Sequence, residues 1–120
     1  MPNKKEIGKF GEQLACEYLQ KQGYEVLDNN WQKRKGEIDL ICVKDKDLVF
    51  VEVKTRTKSA FGHGEQAVDC RKKQKISAMI DDYLFSHPQF DDYFPRFDIV
   101  VVEIFNLVPK YYHLENVELY

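Results

Sequence analysis

Two carboxylates and a lysine, at Asp39, Glu52 and Lys54, are the residues of this chain whose types and spacing best suit chemistry. They fall in two stretches with strand-like alternation, which predict strands from Glu37 to Val43 and from Leu48 to Lys54. The polar segment between the stretches predicts a hairpin turn. If the chain reverses symmetrically there, Asp39 lies directly opposite Glu52 on the neighbouring strand.

This register would bring two negative charges together. Directly opposed strand residues have Cβ atoms about 5 Å apart, where like charges destabilise the pairing. A divalent cation would remove the repulsion, since Mg²⁺ is bound by carboxylate and carbonyl oxygens at about 2 Å while it keeps several waters. The alternative is an ordinary charged strand surface, on which Glu37 pairs with Lys54 and the acids are solvated.

One face of the predicted hairpin is wholly apolar. Because side chains alternate along a strand, that face holds Ile38, Leu40, Cys42, Val49, Val51 and Val53. The other face is apolar near the turn and charged away from it. We therefore expect the first face to pack in a core and the second to present the acids and Lys54.

The remaining pattern predicts the elements that position this hairpin. Asn3 is predicted to cap a helix from about Lys4 to Lys21, and a second helix is predicted from about Glu65 to Phe85. Three further strands are predicted, at Tyr24 to Trp31, Phe97 to Phe105 and Tyr111 to Leu119. The order α-β-β-β-α-β-β predicts an α/β fold, with a mixed sheet flanked by helices and the last strand at an edge.

Length and composition favour a single soluble domain over residues 1–120. The chain has 120 residues, of which 43% are hydrophobic and 32% charged, as in ordinary globular proteins. No apolar run approaches the roughly 20 residues that span a bilayer, so we expect a cytoplasmic protein without a membrane partner. The three cysteines are odd in number and form no CxxC pair, which argues against a disulfide framework or a zinc site.

Charge is distributed unevenly along the chain. The net charge is −2, but residues 1–75 hold 16 basic and 12 acidic residues, whereas the remainder holds two and eight. The basic residues form local clusters: Lys33, Arg34 and Lys35; Lys54, Arg56 and Lys58; Arg71, Lys72, Lys73 and Lys75. Basic rims around an acidic centre suit a metal-dependent site that receives a phosphodiester backbone, although each cluster alone could be a solvated surface.

The hairpin motif also carries a resemblance to a known family. GEIDLI followed by VFVEVKTR resembles the metal site of the PD-(D/E)xK nuclease superfamily, which has the restriction-endonuclease-like fold. The whole chain is similar to the YraN-like family of uncharacterised bacterial proteins placed in that superfamily. The similarity runs from GKFGEQLACEYLQKQGYEVLDNNW through the hairpin and RFDIVVVEI to HLENVEL, and so covers nearly the whole sequence.

The resemblance implies a metal site. Asp39, Glu52 and the backbone carbonyl of Val53 would hold Mg²⁺ or Mn²⁺, and Lys54 would orient the nucleophile. Glu12 resembles a first-helix acid of resolvase-like branches and would act directly or through a water, unless it is an ordinary surface residue. The superfamily's leading Asp often follows a proline, whereas an isoleucine stands before it here.

Other residues receive expected roles around that site. The residues expected to bind nucleic acid are Arg56, Lys58, Arg71, Lys72 and Lys73. Arg56 could instead form a structural ion pair. Glu37 could be a metal ligand, but we favour it as the partner of Lys54. Gln66 is expected to be an auxiliary polar residue, although no tyrosine follows it at helical spacing as in related nucleases.

These observations leave two functions open. The first is a metal-dependent endonuclease that cleaves structured or branched DNA, with DNA favoured over RNA as the partner. The second is a nucleic-acid-binding module that keeps the fold without cleavage. A two-fold homodimer would suit a substrate with two equivalent strands. A glycosidase is excluded on geometry, because carboxylates on directly paired residues leave no room for a sugar between them.

Overall fold

The computed structural model describes residues 3–34, 36–57, 70–105 and 108–119. Their elements are α1 (Lys4–Lys21), β1 (Glu25–Lys33), β2 (Gly36–Lys44), β3 (Asp47–Arg56), α2 (Cys70–Ser86), a short 3₁₀ turn (Pro88–Phe90), β4 (Phe94–Glu103) and β5 (Lys110–Leu114). The predicted order α-β-β-β-α-β-β is confirmed. The predicted beginning of the second helix, before Cys70, lies outside the described residues.

The five strands form one mixed sheet in the order β1-β2-β3-β4-β5. Strands β3 and β4 are parallel, and the other neighbouring pairs are antiparallel. The last strand lies at an edge, as predicted, but it ends at Leu114 rather than Leu119. The ladder is interrupted at Asn116, whose φ is 54° and whose N–H donates to the Asp98 carboxylate at 2.9 Å. Beyond it the N–H of Val117 still donates to the Phe97 carbonyl at 2.7 Å.

Helix α1 begins and ends where the sequence predicts. The Asn3 side chain accepts from the N–H of Glu6, and the Glu6 carboxylate accepts from the N–H of Asn3, which completes a capping box. At the other end Gly23 has a φ of 94°, a conformation that favours glycine after a helix. The capped helix covers one face of the sheet through Ala15 and Leu19.

Helix α2 covers the opposite face of the sheet. Its buried residues are Ile76, Met79, Ile80 and Tyr83, which pack with Ile41, Leu48, Phe50, Phe97, Ile99 and Val101. The α1 core contains Leu40, Cys42, Val49, Val51, Val100 and Val102. The sheet is therefore flanked by helices, as predicted. Neither described helix is both long enough and apolar enough to cross a membrane.

Strand β2 departs from the predicted alternation at Asp39. Alternation predicts that Ile38 shares a face with Leu40, but Ile38 packs in the α2 core whereas Leu40 packs in the α1 core. The β1–β2 pairing passes from Asn29–Leu40 to Trp31–Ile38, and Asn30 between them has a φ of 53°. A left-handed residue interrupts regular pleating. The local irregularity turns β2 so that Ile38 faces α2.

A buried polar network joins β4 to the C-terminal segment. The fully buried Asp98 accepts two hydrogen bonds from Arg96 at 2.9 Å and contacts Nε2 of His113 at 2.7 Å. Arg96 also donates to the Tyr24 hydroxyl at 2.6 Å and to Asp47 at 2.9 Å. These contacts link segments that are distant in sequence, so they give Arg96 and Asp98 a structural role.

Candidate functional site

The hairpin of β2 and β3 has the predicted register, but its pairing stops early. Five pairs run from Lys44–Asp47 at the turn to Leu40–Val51. The next pair in that register would be Asp39 with Glu52, and it is absent from the ladder of these two described strands. The prediction that they are direct cross-strand neighbours is therefore wrong. The irregularity at Asp39 diverts β2 from β3 at this point.

The side chain of Asp39 takes over the interrupted pairing. Its Oδ2 accepts a hydrogen bond from the backbone N–H of Val53 at 2.8 Å. In a continued ladder, Val53 would exchange backbone hydrogen bonds with Ile38. Because the N–H and C=O of one residue point to the same side of an extended strand, the Val53 carbonyl is also directed toward the Asp39 side. One carboxylate and one carbonyl thus converge where β2 and β3 separate.

Glu52 lies beside this gap with two lysines on its carboxylate. Its Oε2 is 2.6 Å from Nζ of Lys72 on α2 and 3.7 Å from Nζ of Lys54 on β3. The Glu52 side chain is only 13% exposed, so both cations act on a carboxylate with little solvent around it. The sequence predicts that Lys54 pairs with Glu37. Among the described residues it pairs with Glu52 instead, because the ladder ends before those two positions could face each other.

Helix α1 brings a third carboxylate, Glu12, toward the site. The helix approaches β3 closely at Gly11, where an added Cβ would lie 2.7 and 2.8 Å from Cγ2 and Cβ of Thr55. With its amide nitrogen turned toward the carboxylates, Asn30 donates to Glu12 at 3.1 Å and to Glu37 at 2.8 Å. Asn30 is not among the site residues that the sequence predicts. Its left-handed backbone beside Asp39 becomes apparent only in the folded sheet.

The pKa values of two carboxylates here are raised, chiefly by burial and further by neighbouring negative charge. Burial raises the pKa of Asp39 to about 7, and the nearby Glu52 charge adds to the increase. The hydrogen bond from Val53 acts in the opposite direction and lowers the pKa of Asp39. Burial also raises the pKa of Glu12, with Glu37 and Glu52 contributing. A cation at this point would favour the ionised form of both carboxylates.

The site opens to a cavity beneath the first turns of α1. This cavity of about 350 Å³ is lined by Glu12 and Val53 together with Lys4, Ile7, Gly8, Thr55 and Thr57. An added Cβ on Gly8 would meet no atom within 4 Å, which marks open space beside the helix. A ligand therefore has access to the edge of the site where the Val53 backbone and the Glu12 side chain lie.

The protein oxygens at this point, from two carboxylates and one carbonyl, fit a hard divalent cation that keeps several waters. Across the described ranges, no three His, Cys, Asp or Glu side chains are grouped so that they could hold a metal ion together. Mg²⁺ does not require such a group, because it is commonly bound through one or two carboxylates and retains waters at its other positions. Asp39, Glu52 and the Val53 carbonyl would supply those protein oxygens, and Glu12 lies near both carboxylates.

The basic clusters have different positions in the fold. Lys72 precedes Ile76, Met79 and Tyr83 on the inward stripe of α2, and its contact with Glu52 places it in the site. Residues on another face of α2 line an open cavity of about 460 Å³: Arg71, Gln74, Lys75 and Ala78, together with Arg34, the residue that follows β1. Arg34 and Arg71 belong to basic clusters 37 positions apart in the sequence, and the fold brings them together. With Lys75 they form one basic depression.

The other predicted contacts are placed less centrally. Arg56 lies 3.7 Å from Glu103 on the neighbouring strand, which agrees with the alternative of a structural ion pair. Lys73 is half-buried on α2, and the described residues include no ion-pair partner for it. Lys58 and Gln66 lie outside the described residues.

Sequence comparisons identify related proteins over most of the chain. Residues 11–102 match the model of the uncharacterised protein family UPF0102. A UPF0102 protein of Alkaliphilus oremlandii is 43% identical over 113 residues, which cover 93% of this chain and 97% of the relative. Another, from Caldanaerobacter subterraneus subsp. tengcongensis, is 48% identical over 100 residues, or 83% and 81% of the two chains. One from Caldicellulosiruptor bescii is 46% identical over 103 residues, or 86% and 85%.

Proposed function

The chain belongs to the UPF0102 family, and from that premise we propose that it is a divalent-metal-dependent endonuclease acting on structured or branched DNA in the cytoplasm. The observation that carries the proposal is the break between β2 and β3. There the Asp39 carboxylate binds the Val53 N–H at 2.8 Å, beside Glu52 and Lys54. The resemblance to PD-(D/E)xK nucleases assigns catalytic roles to Asp39, Glu52 and Lys54, which follow one another along the chain as in the motif.

Each member of the site has a distinct part in the proposed chemistry. Asp39, Glu52 and the Val53 carbonyl would hold Mg²⁺ or Mn²⁺, which supplies Lewis acidity toward the phosphate and lowers the pKa of a bound water. The Asp39 carboxylate is fixed by its hydrogen bond to Val53, so it needs little reorganisation to act as a ligand. Lys54 offsets negative charge in the transition state and orients the nucleophile.

The basic depression supplies binding energy for the substrate. Arg34, Arg71 and Lys75 line it, and α2 connects it with the site, since this helix carries both Arg71 and the site residue Lys72. Cations on such a surface bind phosphates and release condensed counterions, so affinity falls as salt rises. Replacing all three residues with Ala should make the plot of log K against log salt shallower, by about 0.9 for each phosphate that the protein no longer neutralises.

A non-catalytic nucleic-acid-binding module is the second candidate. The observation that favours it is the contact of 2.6 Å between Lys72 and Glu52, which occupies one proposed metal ligand. If this ion pair is never broken, the protein keeps the fold and the basic depression but does not bind a metal.

Cleavage assays separate the two candidates. The purified protein would be incubated with linear duplex, single-stranded, flapped and four-way DNA, and with RNA, each in Mg²⁺, Mn²⁺ or EDTA. The nuclease proposal expects products that require the metal and are lost in Asp39→Asn. If every substrate stays intact while structured DNA binds with a salt slope that depends on Arg71, the binding module is the correct function.

A further inference from the structure

Lys72 is a lysine on the buried stripe of a helix, and its position calls for an explanation. Ile76, Met79 and Tyr83 follow it at inward-facing spacings of α2, and these three residues are at most 4% exposed. Its ammonium leaves that apolar stripe to reach Glu52 Oε2 at 2.6 Å, the shorter of the two lysine contacts on this carboxylate. A long side chain with several rotatable bonds is therefore directed at a proposed metal ligand.

The charges around Glu52 indicate what Lys72 does. Asp39, Glu12 and Glu37 all act electrostatically on the same small region, so the metal-free site needs a cation of its own. Lys54 is 3.7 Å from Glu52, whereas Lys72 is in direct hydrogen-bonding contact at 2.6 Å. Of the two lysines it is therefore Lys72 that occupies the Glu52 oxygen a divalent cation would use.

We propose that Lys72 is an internal competitor of the metal ion: it neutralises Glu52 in the metal-free protein and is displaced toward a substrate phosphate when a divalent cation binds Glu52. The inference rests on the proposed metal site. The Lys72 side chain is 44% exposed, so it can leave Glu52 without breaking the core. Once displaced, it becomes a second substrate-contacting lysine that acts only in the metal-bound protein.

Metal affinity provides the first test. Lys72→Met would be compared with Lys75→Met, which removes the same charge from an exposed position of the same helix. Titration calorimetry with Mn²⁺ should give an affinity about two- to fivefold higher for Lys72→Met than for wild type, the range expected for a partly exposed ion pair. Lys75→Met should bind Mn²⁺ as wild type does. Lys72→Arg restores the competing charge and should return the affinity toward the wild-type value.

Substrate binding provides the second test. Ca²⁺ would replace Mn²⁺ to limit cleavage, and the affinity for four-way DNA would be measured in Ca²⁺ and in EDTA. Lys72→Met should weaken binding in Ca²⁺ but leave it nearly unchanged in EDTA, where Lys72 is held by Glu52. Lys75→Met should weaken binding equally in both conditions, because the contact of Lys75 with phosphate does not depend on the metal.

The outcomes distinguish this inference from the proposed function. If wild type binds Mn²⁺ but Lys72→Met binds it equally or more weakly, the competition is disproved and the metal site remains. If Lys72→Met weakens DNA binding as much in EDTA as in Ca²⁺, Lys72 is an ordinary phosphate contact. If wild type binds no divalent cation at any pH up to 8.5, the metal site itself fails. Should Lys72→Met unfold, Lys72→Gln in the same two assays replaces it.

Discussion

The N–H of Val53 donates to the carboxylate of Asp39 at 2.8 Å, in the position where the β2–β3 ladder would otherwise continue. An asparagine at position 39 can accept the same hydrogen bond without carrying a charge. Asp39→Asn therefore separates the charge of this residue from its geometry, and it is the most informative single substitution in the site.

The stability of the metal-free protein should fall as pH rises toward neutrality because of Asp39. Its pKa is about 7 in the folded protein against an ordinary value of 3.8, so between these values the folded state holds a proton that the unfolded state has lost. Within that window this group lowers the free energy of unfolding by up to about 1.4 kcal/mol for each pH unit of increase. Urea denaturation in EDTA from pH 5 to pH 8 should show the advantage of Asp39→Asn over wild type growing with pH. Parallel profiles would contradict the raised pKa.

Mn²⁺ should raise the melting temperature of the protein, because a ligand that binds only the folded state stabilises it. Asp39→Asn and Glu52→Gln should each lose most of that rise. The effect should also shrink below pH 6, where protonation of Asp39 competes with the metal. Differential scanning fluorimetry measures all three effects, with the exposed Asp92→Asn as a matched control that keeps the full response. An unchanged response in both site variants would remove these residues from the metal site.

Lys54→Ala should reduce cleavage by roughly 10²–10³-fold, the typical loss when a group that stabilises transition-state charge is removed. Metal binding should survive because the carboxylates and the Val53 carbonyl remain. Single-turnover cleavage and Mn²⁺ titration would be measured on the same preparation. A variant that cleaves at the wild-type rate would show that Lys54 serves only as a counterion to Glu52.

Gly11→Ala should destabilise the protein, whereas Gly8→Ala should not. At Gly11 the new methyl group would collide with Thr55, and overpacking typically costs about 1–3 kcal/mol. At Gly8 the methyl group enters open space, so the better helix propensity of alanine should add up to about 1 kcal/mol. Chemical denaturation of both variants tests the close approach of α1 to β3. Equal effects at the two positions would argue against it.

Asp98→Ala should be among the most destabilising substitutions in the chain. It removes the carboxylate that accepts from Arg96 and Asn116 and contacts His113, and breaking a buried ion pair typically costs about 3–5 kcal/mol. Asp92→Ala breaks an exposed ion pair with Lys46 and should leave stability nearly unchanged. Urea midpoints of the two variants give the comparison, and similar midpoints would contradict the structural role of the network.

Local signals predict much of this fold. The boundaries of α1 follow from a capping side chain and a terminal glycine, both of which act within a few residues. The register of the hairpin follows from a symmetric reversal at Asp45 and Lys46, which pairs Lys44 with Asp47 and Ile41 with Phe50. Such features depend on short stretches of chain and can be derived from the sequence.

The details of the site depend on contacts between distant segments. Regular alternation predicts that Ile38 shares a face with Leu40, and nothing local indicates that Asn30 and Asp39 interrupt the pleating together. One signal is present at Lys72, since a lysine in line with Ile76 and Met79 is unusual on a buried stripe. The sequence alone assigns Lys72 to a basic surface, because its partner, Glu52, lies 20 positions away.

The parallel pairing of β3 with β4 also has a consequence for how the protein folds. Partners in this pair, such as Asp47 and Phe94, are 47 positions apart, whereas β1, β2 and β3 are joined by short connections. A nascent chain that has left the ribosome as far as β3 can form the three-stranded meander, but one edge of the apolar strand β3 then stays unpaired until β4 is made. An unpaired edge on an apolar strand invites association with other chains. We expect the slowest folding step, and the greatest need for a chaperone, at the docking of β4.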